Sequence, residues 1–272
     1  MTIELRELLD SRALTQPTIT MHEKAYEKRY NNLGKILISE SSQDELIESM
    51  NELGKSISQK YTFANIVIMI YNMKKINDSK LQKYRDNLSV QRTKHIEKNN
   101  TEKALVLPSY DALKKFVDEL FKQQKYREYI INFLMFKYGL RNLDLNLFIT
   151  DNKEDINDND NFIFLKKTEI DLIINNYKTY KTYGQKKIKI RLKPFTVACN
   201  NLLGEMVIPV EPISQGKYIQ RVTMDGIGEG SIFKILIKHC LTMKNPLNEI
   251  KKIATTRGTD VKTVIEYYNI NL

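Results

Sequence analysis

The sequence predicts a mainly α-helical fold with a small antiparallel β-sheet, an α+β arrangement in two domains. At 272 residues the chain is long enough for two separate cores. Its first hundred residues carry repeated helix-start signals, and the stretch KIKIRL (187–192) alternates isoleucine with basic residues. That alternation is typical of a half-buried strand with a charged outer face, so the helices and the sheet occupy different parts of the chain.

Composition favours a folded protein with a polyanionic partner. The hydrophobic share of 42% and the charged share of 28% are ordinary for a globular protein. The formal net charge of +10 and the pI near 9.3 favour binding to phosphate groups. Cys199 and Cys240 lie far apart and lack zinc-like spacing with His22, His95 and His239. We therefore expect neither a disulfide framework nor a structural metal, and we expect the protein to occupy a reducing compartment.

The ends of the chain and its apolar runs give no membrane signal. The start MTIELRELLDSR has acidic residues and no apolar run, unlike a signal peptide. The longest apolar run, 63–73, is too short to span a bilayer. We expect a soluble intracellular protein without a membrane partner, in the cytoplasm, in the nucleus or associated with a virus.

Residues 1–100 predict a helical domain. Thr20 with Glu23, and Ser42 with Glu45, each fit a capping box, which predicts helices over 21–38 and 43–59. The apolar stretch 62–75 predicts a third helix, and the basic stretch 79–98 a fourth. The basic face of the fourth helix is either simply solvated or in contact with phosphates, and the sequence leaves both open.

A linker, 101–108, separates this domain from residues 109–272. It is polar and then extended, because a residue before proline (here Pro108) avoids the helical region. Ser109 is a suitable N-cap for a helix through Phe121, and a second helix, 125–138, ends at Gly139. The loop 151–161 alternates Asp and Asn but lacks the glycine of a calcium loop, so it predicts an exposed connection.

The remainder predicts three strands and three helices. The runs FIFLK (162–166), EIDLIINNYK (169–178) and KKIKIRL (186–192) predict the small antiparallel sheet. GIGEG (226–230) has the wrong spacing for a phosphate-binding fingerprint and predicts a flexible turn. Helices are expected from Ser231, from Asn245-Pro246 through Ala254, and finally through Tyr268.

Arg141 follows a helix break and precedes a second apolar segment, an unusual place for a charged group. Alone, such an arginine can simply satisfy the last carbonyls of the helix. However, LPSYDALKKFVDEL (107–120), FLMFKYGLRNLDLNLF (133–148) and RGTDVKTVIEYYN (257–269) occur in one order along the chain. The second stretch resembles the first arginine box of the tyrosine recombinase family, T-G-L-R-x-x-E-L. The third resembles the family's final stretch, G-H-S-x-x-x-T-x-x-x-Y, and the resemblance covers essentially the whole chain.

This resemblance to phage-type integrases implies a fold and a reaction. Residues 1–100 are expected to form a core-binding-like domain that clamps double-stranded DNA, and 109–272 the catalytic domain. A tyrosine hydroxyl attacks a phosphodiester, which leaves a 3'-phosphotyrosyl link and a 5'-hydroxyl without a metal or other cofactor. Such proteins act on DNA as homo-oligomers, and a viral or mobile-element source is expected.

The resemblance also implies site residues. Arg141 is the first transition-state donor, and Tyr267, four residues after Thr263, is the nucleophile, with Tyr268 as the alternative. A hairpin lysine acts as general acid, for which Lys178 is preferred and Lys181 is the second choice. Lys238 stands where the second-box arginine of His-x-x-Arg is expected, and Ile235 stands in the histidine position. Further DNA contacts are expected from Lys181, Lys186, Lys187, Lys234, His239 and Arg257.

Three function classes remain open at this point. The first is an active recombinase with altered second-box residues, and the second is a degenerate relative that binds or organises DNA without cutting it. The third is an unrelated helical protein that binds RNA or a partner protein.

Overall fold

The computed structural model describes residues 3–10, 16–32, 34, 36–52, 56–104, 107–209 and 214–268. Within these ranges the side chains of 3, 10, 16–18, 28–30, 32, 96–97, 99–104 and 266–268 are not described. The chain divides into two compact units, Met1–Glu102 and Lys103–Leu272. The fold is mainly helical with a small sheet, and each unit has its own hydrophobic core.

The first unit consists of helices around a central apolar one. They are α1 (Ile3–Asp10), α2 (Gln16–Asn32), α3 (Gln43–Glu52), α4 (Ile57–Met73) and α5 (Ser79–Ala104), with a short 3-10 turn at Ile38–Glu40. Helix α4 is apolar on most of its surface and packs against α1, α2 and α3. A helix that is apolar nearly all round forms the centre of a core, which explains its position.

A buried carboxylate fastens the first unit. Glu4 on α1 is 1% exposed. It accepts hydrogen bonds from the Ile38 amide at 2.7 Å and from the Ser39 amide at 3.1 Å. The hydroxyl of Ser39, at 2.6 Å, and that of Tyr26 on α2 also donate to it. The four donors satisfy the buried carboxylate of Glu4. The carboxylate therefore links α1, α2 and the 3-10 turn.

Local capping signals predicted some helix starts in this unit and missed others. The capping box at Ser42 and Glu45 is confirmed, with the Glu45 amide 3.3 Å from the Ser42 hydroxyl. The predicted helix 21–38 is wrong, because α2 begins at Gln16 with a proline in its first turn and ends at Asn32. The predicted helix 43–59 is also wrong: α3 ends at Glu52, and a second capping box at Ser56 starts α4.

The second unit contains eight helices among the described residues. They are α6 (Tyr110–Lys122), α7 (Tyr126–Tyr138), α8 (Tyr180–Tyr183), α9 (Lys193–Asn200), α10 (Gln215–Val222), α11 (Glu229–Leu241), α12 (Pro246–Arg257) and α13 (Val261–Tyr268). Helix α7 is buried along most of its length and packs against α6, α9, α11 and α12. The predicted N-cap is confirmed, since the Ser109 hydroxyl accepts from the Ala112 amide at 3.1 Å.

The sheet is mixed, which corrects the prediction of an antiparallel one. Strands β1 (Leu147–Thr150), β2 (Asn161–Leu165), β3 (Ile170–Ile174) and β4 (Lys186–Ile190) lie in that order. β2, β3 and β4 pair antiparallel, as expected, but β1 pairs parallel to β2. The prediction missed β1 because it is only four residues long and its partner lies beyond a loop. In that loop, residues 151–155 and 157–160 are exposed as predicted.

Several element boundaries differ from the predictions. Helix α5 continues to Ala104, into the expected linker 101–108, because Glu102, Lys103 and Ala104 are good helix formers. Helices α9 and α10 were not predicted. Helix α11 begins two residues before Ser231, and α12 ends three residues after Ala254. In the described part of the chain, no helix combines the length and apolarity needed to cross a membrane.

Candidate active site

The chain reverses after α7 in a way that fixes Arg141. Gly139 ends the helix with a left-handed backbone (φ 65°), and a Cβ there would lie 2.9 Å from the Phe233 ring. Glycine is therefore required by both conformation and space. The Arg141 amide donates to Asp144 Oδ2 at 3.1 Å, and its Nη1 donates to the carbonyl of Arg257 at 2.7 Å. The partly exposed guanidinium is thus held at the C-terminus of α12.

Lys186 and Asp144 form a buried pair beside this arginine. Lys186, at the start of β4, is 9% exposed, and Asp144 is fully buried. The lysine Nζ lies 3.9 Å from Asp144 Oδ2 and 3.5 Å from the centroid of the Tyr177 ring. Among the described residues neither Lys186 Nζ nor Asp144 Oδ1 has a hydrogen-bond partner. The pair is therefore close but incompletely satisfied, and polar atoms in that state can accept a ligand.

Burial drives both members of the pair toward their neutral forms. It lowers the pKa of Lys186 to about 8; the carboxylate of Asp144 opposes this change, whereas Arg141 and Arg257 reinforce it. Burial also raises the pKa of Asp144, and the nearby cations do not fully offset it. A lysine whose pKa is close to neutral can release its proton during a reaction.

Arg257 is part of the framework beneath the site. Its side chain is 7% exposed and lies over the Phe233 ring at 4.2 Å. Nη1 donates to the Gly139 carbonyl at 2.7 Å, and Nη2 donates to Glu229 Oε1 at 2.8 Å. The other oxygen of Glu229 accepts from the Asn142 amide. These contacts direct the guanidinium into the protein, not onto the surface where a DNA contact was expected.

The β3–β4 hairpin packs directly on the last turn of α12. Gly258 has φ 66°, and its carbonyl accepts from the Thr179 hydroxyl at 2.7 Å. A Cβ on Gly258 would lie 2.8 Å from Thr179 Oγ1 and from Tyr177 Cε2, and 3.1 Å from Lys186 Cε. The hairpin side chains therefore occupy the space that a larger residue would need at this position.

The other hairpin lysines face solvent. Lys178, the preferred general acid, and Lys181 are exposed. Lys187 is also exposed and pairs with Asp171 at 3.1 Å. Of the four lysines named in this hairpin, the structure brings Lys186 to Arg141 and Asp144. The sequence contained the signal, since Lys186 shares the alternation of Ile188 and Ile190 and so lies on the buried face of β4.

The second-box residues lie on α11. Lys238 is exposed, Lys234 is half-buried and Ile235 is buried. His239 stacks on Tyr110 with ring centroids 3.5 Å apart and an interplanar angle of 9°. Lys238 therefore lies on the outer surface of α11, whereas Ile235 packs in the core.

The candidate nucleophiles lie on α13, which packs on α12 through the buried Val264. The backbone of Tyr267 and Tyr268 is helical, but both side chains lie outside the described residues. Only three residues separate Arg257, at the end of α12, from the start of α13. Among the described residues no three His, Cys, Asp or Glu side chains group closely enough to hold a metal ion.

Comparison with known proteins does not assign this arrangement to a family. No protein-family model matches the chain, and no curated protein shows significant sequence similarity to it. The arrangement itself defines an α+β protein with an arginine, a lysine and a buried carboxylate around the end of one helix.

Proposed function

We propose that the protein binds double-stranded DNA and cleaves and rejoins it by the tyrosine recombinase mechanism. The observation that carries this proposal is the meeting of Arg141 and Lys186 at the C-terminus of α12, from segments far apart in the sequence. In this proposal residues 1–100 form the core-binding-like domain and 109–272 the catalytic domain. The resemblance of the sequence to the family supports the same assignment.

The chemistry assigns a different role to each cation. During attack the nonbridging phosphate oxygens gain negative charge, and the guanidinium of Arg141 donates hydrogen bonds to them. A bond forms between the tyrosine oxygen and phosphorus while the bond from phosphorus to the 5' oxygen breaks. Lys186, in place of the expected Lys178, gives its proton to the 5' oxygen. The phenol releases its proton to solvent while the 5' oxygen takes one from Lys186, and the neutral lysine regains a proton from solvent, so atoms and charge balance.

The surface around the β3–β4 hairpin suits a nucleic-acid backbone. Lys178 and Lys181 are exposed, and Tyr180 and Tyr183 are 42% and 44% exposed. Lysines neutralise phosphates, and exposed aromatic rings stack on sugars and bases. The lysines of the hairpin therefore divide between DNA contact and proton transfer.

Helix α5 offers a second DNA-binding surface, in the first unit. Its last buried side chain, within the described part, is Leu88, and residues 90–95 and 98 are exposed. Lys83, Asn87, Gln91, Lys94 and Lys98 follow one another at intervals of three or four residues and so share one face. A helix fits the major groove, where lysine and the amides of Asn and Gln can contact base edges.

A second candidate function, DNA binding without cleavage, is favoured by the framework role of Arg257. Its guanidinium is bonded to Gly139 and Glu229, and a lysine stands at the expected second arginine position. A lysine supplies a point charge and not the two parallel donors of an arginine, so the transition state is held less well. Binding tolerates this loss better than catalysis does.

The test uses a pool of duplexes of random sequence, each nicked so that cleavage traps the covalent adduct. Wild type is expected to form an adduct on a denaturing gel, and one of Tyr267→Phe and Tyr268→Phe to abolish it. The other variant is the matched control. Lys186→Met should slow adduct formation about 100-fold or more, whereas Lys187→Met should not.

A DNA substrate with sulfur in place of the bridging 5' oxygen distinguishes proton donation by Lys186 from charge stabilisation by Arg141. A thiolate leaves without a proton, so this substrate should restore cleavage by Lys186→Met but not by Arg141→Ala. If the wild type forms no adduct but binds duplex DNA with a steep salt dependence, the second candidate function replaces the first. Absence of DNA binding contradicts both.

A further inference from the structure

The last turn of α12 is where three separate segments meet. The carbonyl of Arg257 accepts from Arg141, and the next carbonyl, of Gly258, accepts from Thr179, each at 2.7 Å. The side chain of Arg257 reaches back to Gly139 and across to Glu229. Two adjacent peptide groups therefore bind both the arginine turn and the hairpin that carries Lys186.

We propose that Thr179 is a positioning residue whose hydroxyl fastens the β3–β4 hairpin to α12 and so holds Lys186 against Asp144. The effect of this contact on catalysis rests on the proposed function, but the positioning of Lys186 by Thr179 does not. Neither the motifs of the sequence nor the implied site residues include Thr179.

The contacts of the hairpin support this assignment. Eleven residues, 175–185, connect β3 to β4. Within them the Tyr177 ring is buried and Thr179 half-buried, while Lys178, Tyr180 and Lys181 are exposed. The hydroxyl of Tyr177 donates to Gly184 at 2.7 Å, inside the hairpin. By contrast, the hydroxyl of Thr179 leaves the hairpin and bonds to α12.

Thr179 and Lys186 pack against the same residue, Gly258, which couples their positions. An added Cβ there would meet Thr179 and Tyr177 at 2.8 Å and the Lys186 stem at 3.1 Å. All three side chains therefore lie flush against one glycine. If the hydroxyl bond is lost, the hairpin can lift from this surface, and water can reach Lys186.

The pKa of Lys186 indicates whether the hairpin stays attached to α12, and it can be measured without DNA. Its pKa is lowered to about 8 mainly by burial. Competitive labelling of the full chain with a limiting amine-reactive reagent over a range of pH, read by mass spectrometry, measures this pKa. Thr179→Val removes the donor and keeps the shape, Thr179→Ser keeps the donor, and Thr182→Val changes an exposed threonine of the same hairpin.

We expect the labelling midpoint of Lys186 to rise by about one pH unit or more in Thr179→Val. Thr179→Ser and Thr182→Val should retain the wild-type midpoint. A wild-type midpoint in Thr179→Val overturns the proposal. The buried thiols Cys199 and Cys240 serve as internal controls. If they become reactive together with Lys186, the hydroxyl supports the whole domain, which also overturns a local positioning role.

Adduct formation gives the second readout. With the nicked duplex pool, Thr179→Val should form adduct about tenfold more slowly or worse, with its pH profile displaced in the direction of the labelling midpoint. A slower rate with an unchanged pH profile would contradict the assignment. If the wild type forms no adduct, the proposed cleavage fails, while the labelling result still decides whether Thr179 positions Lys186.

Discussion

Replacing Lys186 by methionine is expected to stabilise the second unit at neutral pH. The lysine is 9% exposed, and its Nζ has no hydrogen-bond partner among the described residues. Methionine has a similar length and no charge, so it fills the space without the cost of desolvating an ammonium group. It also loses the attraction to Asp144, but burial outweighs that attraction in setting the pKa of Lys186. The gain in the free energy of unfolding measures how much stability the buried lysine costs the wild-type protein.

The magnitude follows from the pKa of Lys186. It falls from 10.5 to about 8, and each pKa unit corresponds to about 1.4 kcal/mol. Below pH 8 the lysine is charged in both the folded and the unfolded chain, so the full cost is present. Above pH 8 the folded protein loses the proton first, and stability rises with pH until the unfolded lysine also titrates. The advantage of methionine is therefore about 3 kcal/mol at pH 7 and about 1 kcal/mol at pH 9.5.

The assay exploits the placement of the cysteines. The only two in the sequence, Cys199 and Cys240, are buried in the second unit. The urea concentration at which they become reactive to a thiol reagent therefore reports the unfolding of that unit alone. Lys187→Met is the matched control, because Lys187 is exposed and pairs with Asp171. Its effect should stay within about 1 kcal/mol at both pH values.

Two outcomes would refute this reasoning. If Lys186→Met lowers the urea midpoint at pH 7, the contacts of the ammonium group with Tyr177 and Asp144 outweigh its desolvation. If the gain is the same at pH 7 and pH 9.5, the change acts through packing and not through charge. Either result would remove the physical basis for a lysine with a lowered pKa.

Three further predictions test the framework of each unit. Gly258→Ala should lower the stability of the second unit by about 2–4 kcal/mol in the thiol assay, through the left-handed backbone and the crowding. Gly204→Ala also places an alanine at a positive φ (82°), but no described atom lies within 4 Å of a Cβ there, so it should cost only about 1–2 kcal/mol. Arg257→Lys cannot keep both of its side-chain hydrogen bonds and should cost about 2–4 kcal/mol in the same assay. Glu4→Ala removes the acceptor of four hydrogen bonds, so the free energy of opening of α1 and α4, measured by hydrogen exchange, should fall by about 3–5 kcal/mol. Glu7 is exposed, and Glu7→Ala should change the same free energy by less than about 1 kcal/mol. Equal losses for the two glycine variants, or for the two glutamate variants, would contradict the packing argument in each case.

Local signals predicted the parts of the fold that are determined locally. The caps at Ser42 and Ser109 involve residues within three positions of each other, so the sequence contains all the partners. The predicted helix 43–59 was wrong because a second cap, at Ser56, lay inside it. The parallel pairing of β1 with β2 depends on a return of the chain across a loop, which no local pattern encodes.

The site divides in the same way. The position of Arg141 after a glycine-terminated helix could be predicted from its neighbours. The position of Lys186, and not Lys178, beside Asp144 could also be predicted from the alternation in β4, whereas our prediction used the first lysine after β3. The internal bonds of Arg257 and the contact of Thr179 with Gly258 could not be predicted, because they join residues 118 and 79 positions apart.

The burial of Lys186 bears on the choice between cleavage and binding alone. A protein that only binds DNA needs positive charge on its surface, and the exposed Lys178 and Lys181 already supply it. A lysine with a pKa of about 8 is a weaker phosphate ligand near that pH, because part of it is neutral. It is, however, a better proton donor than an exposed lysine, since its proton is released more easily. Under the proposed cleavage function, proton transfer to a leaving oxygen gives a reason to bury this amine that attraction to a phosphate does not, and we expect Lys186→Met to impair adduct formation far more than DNA binding.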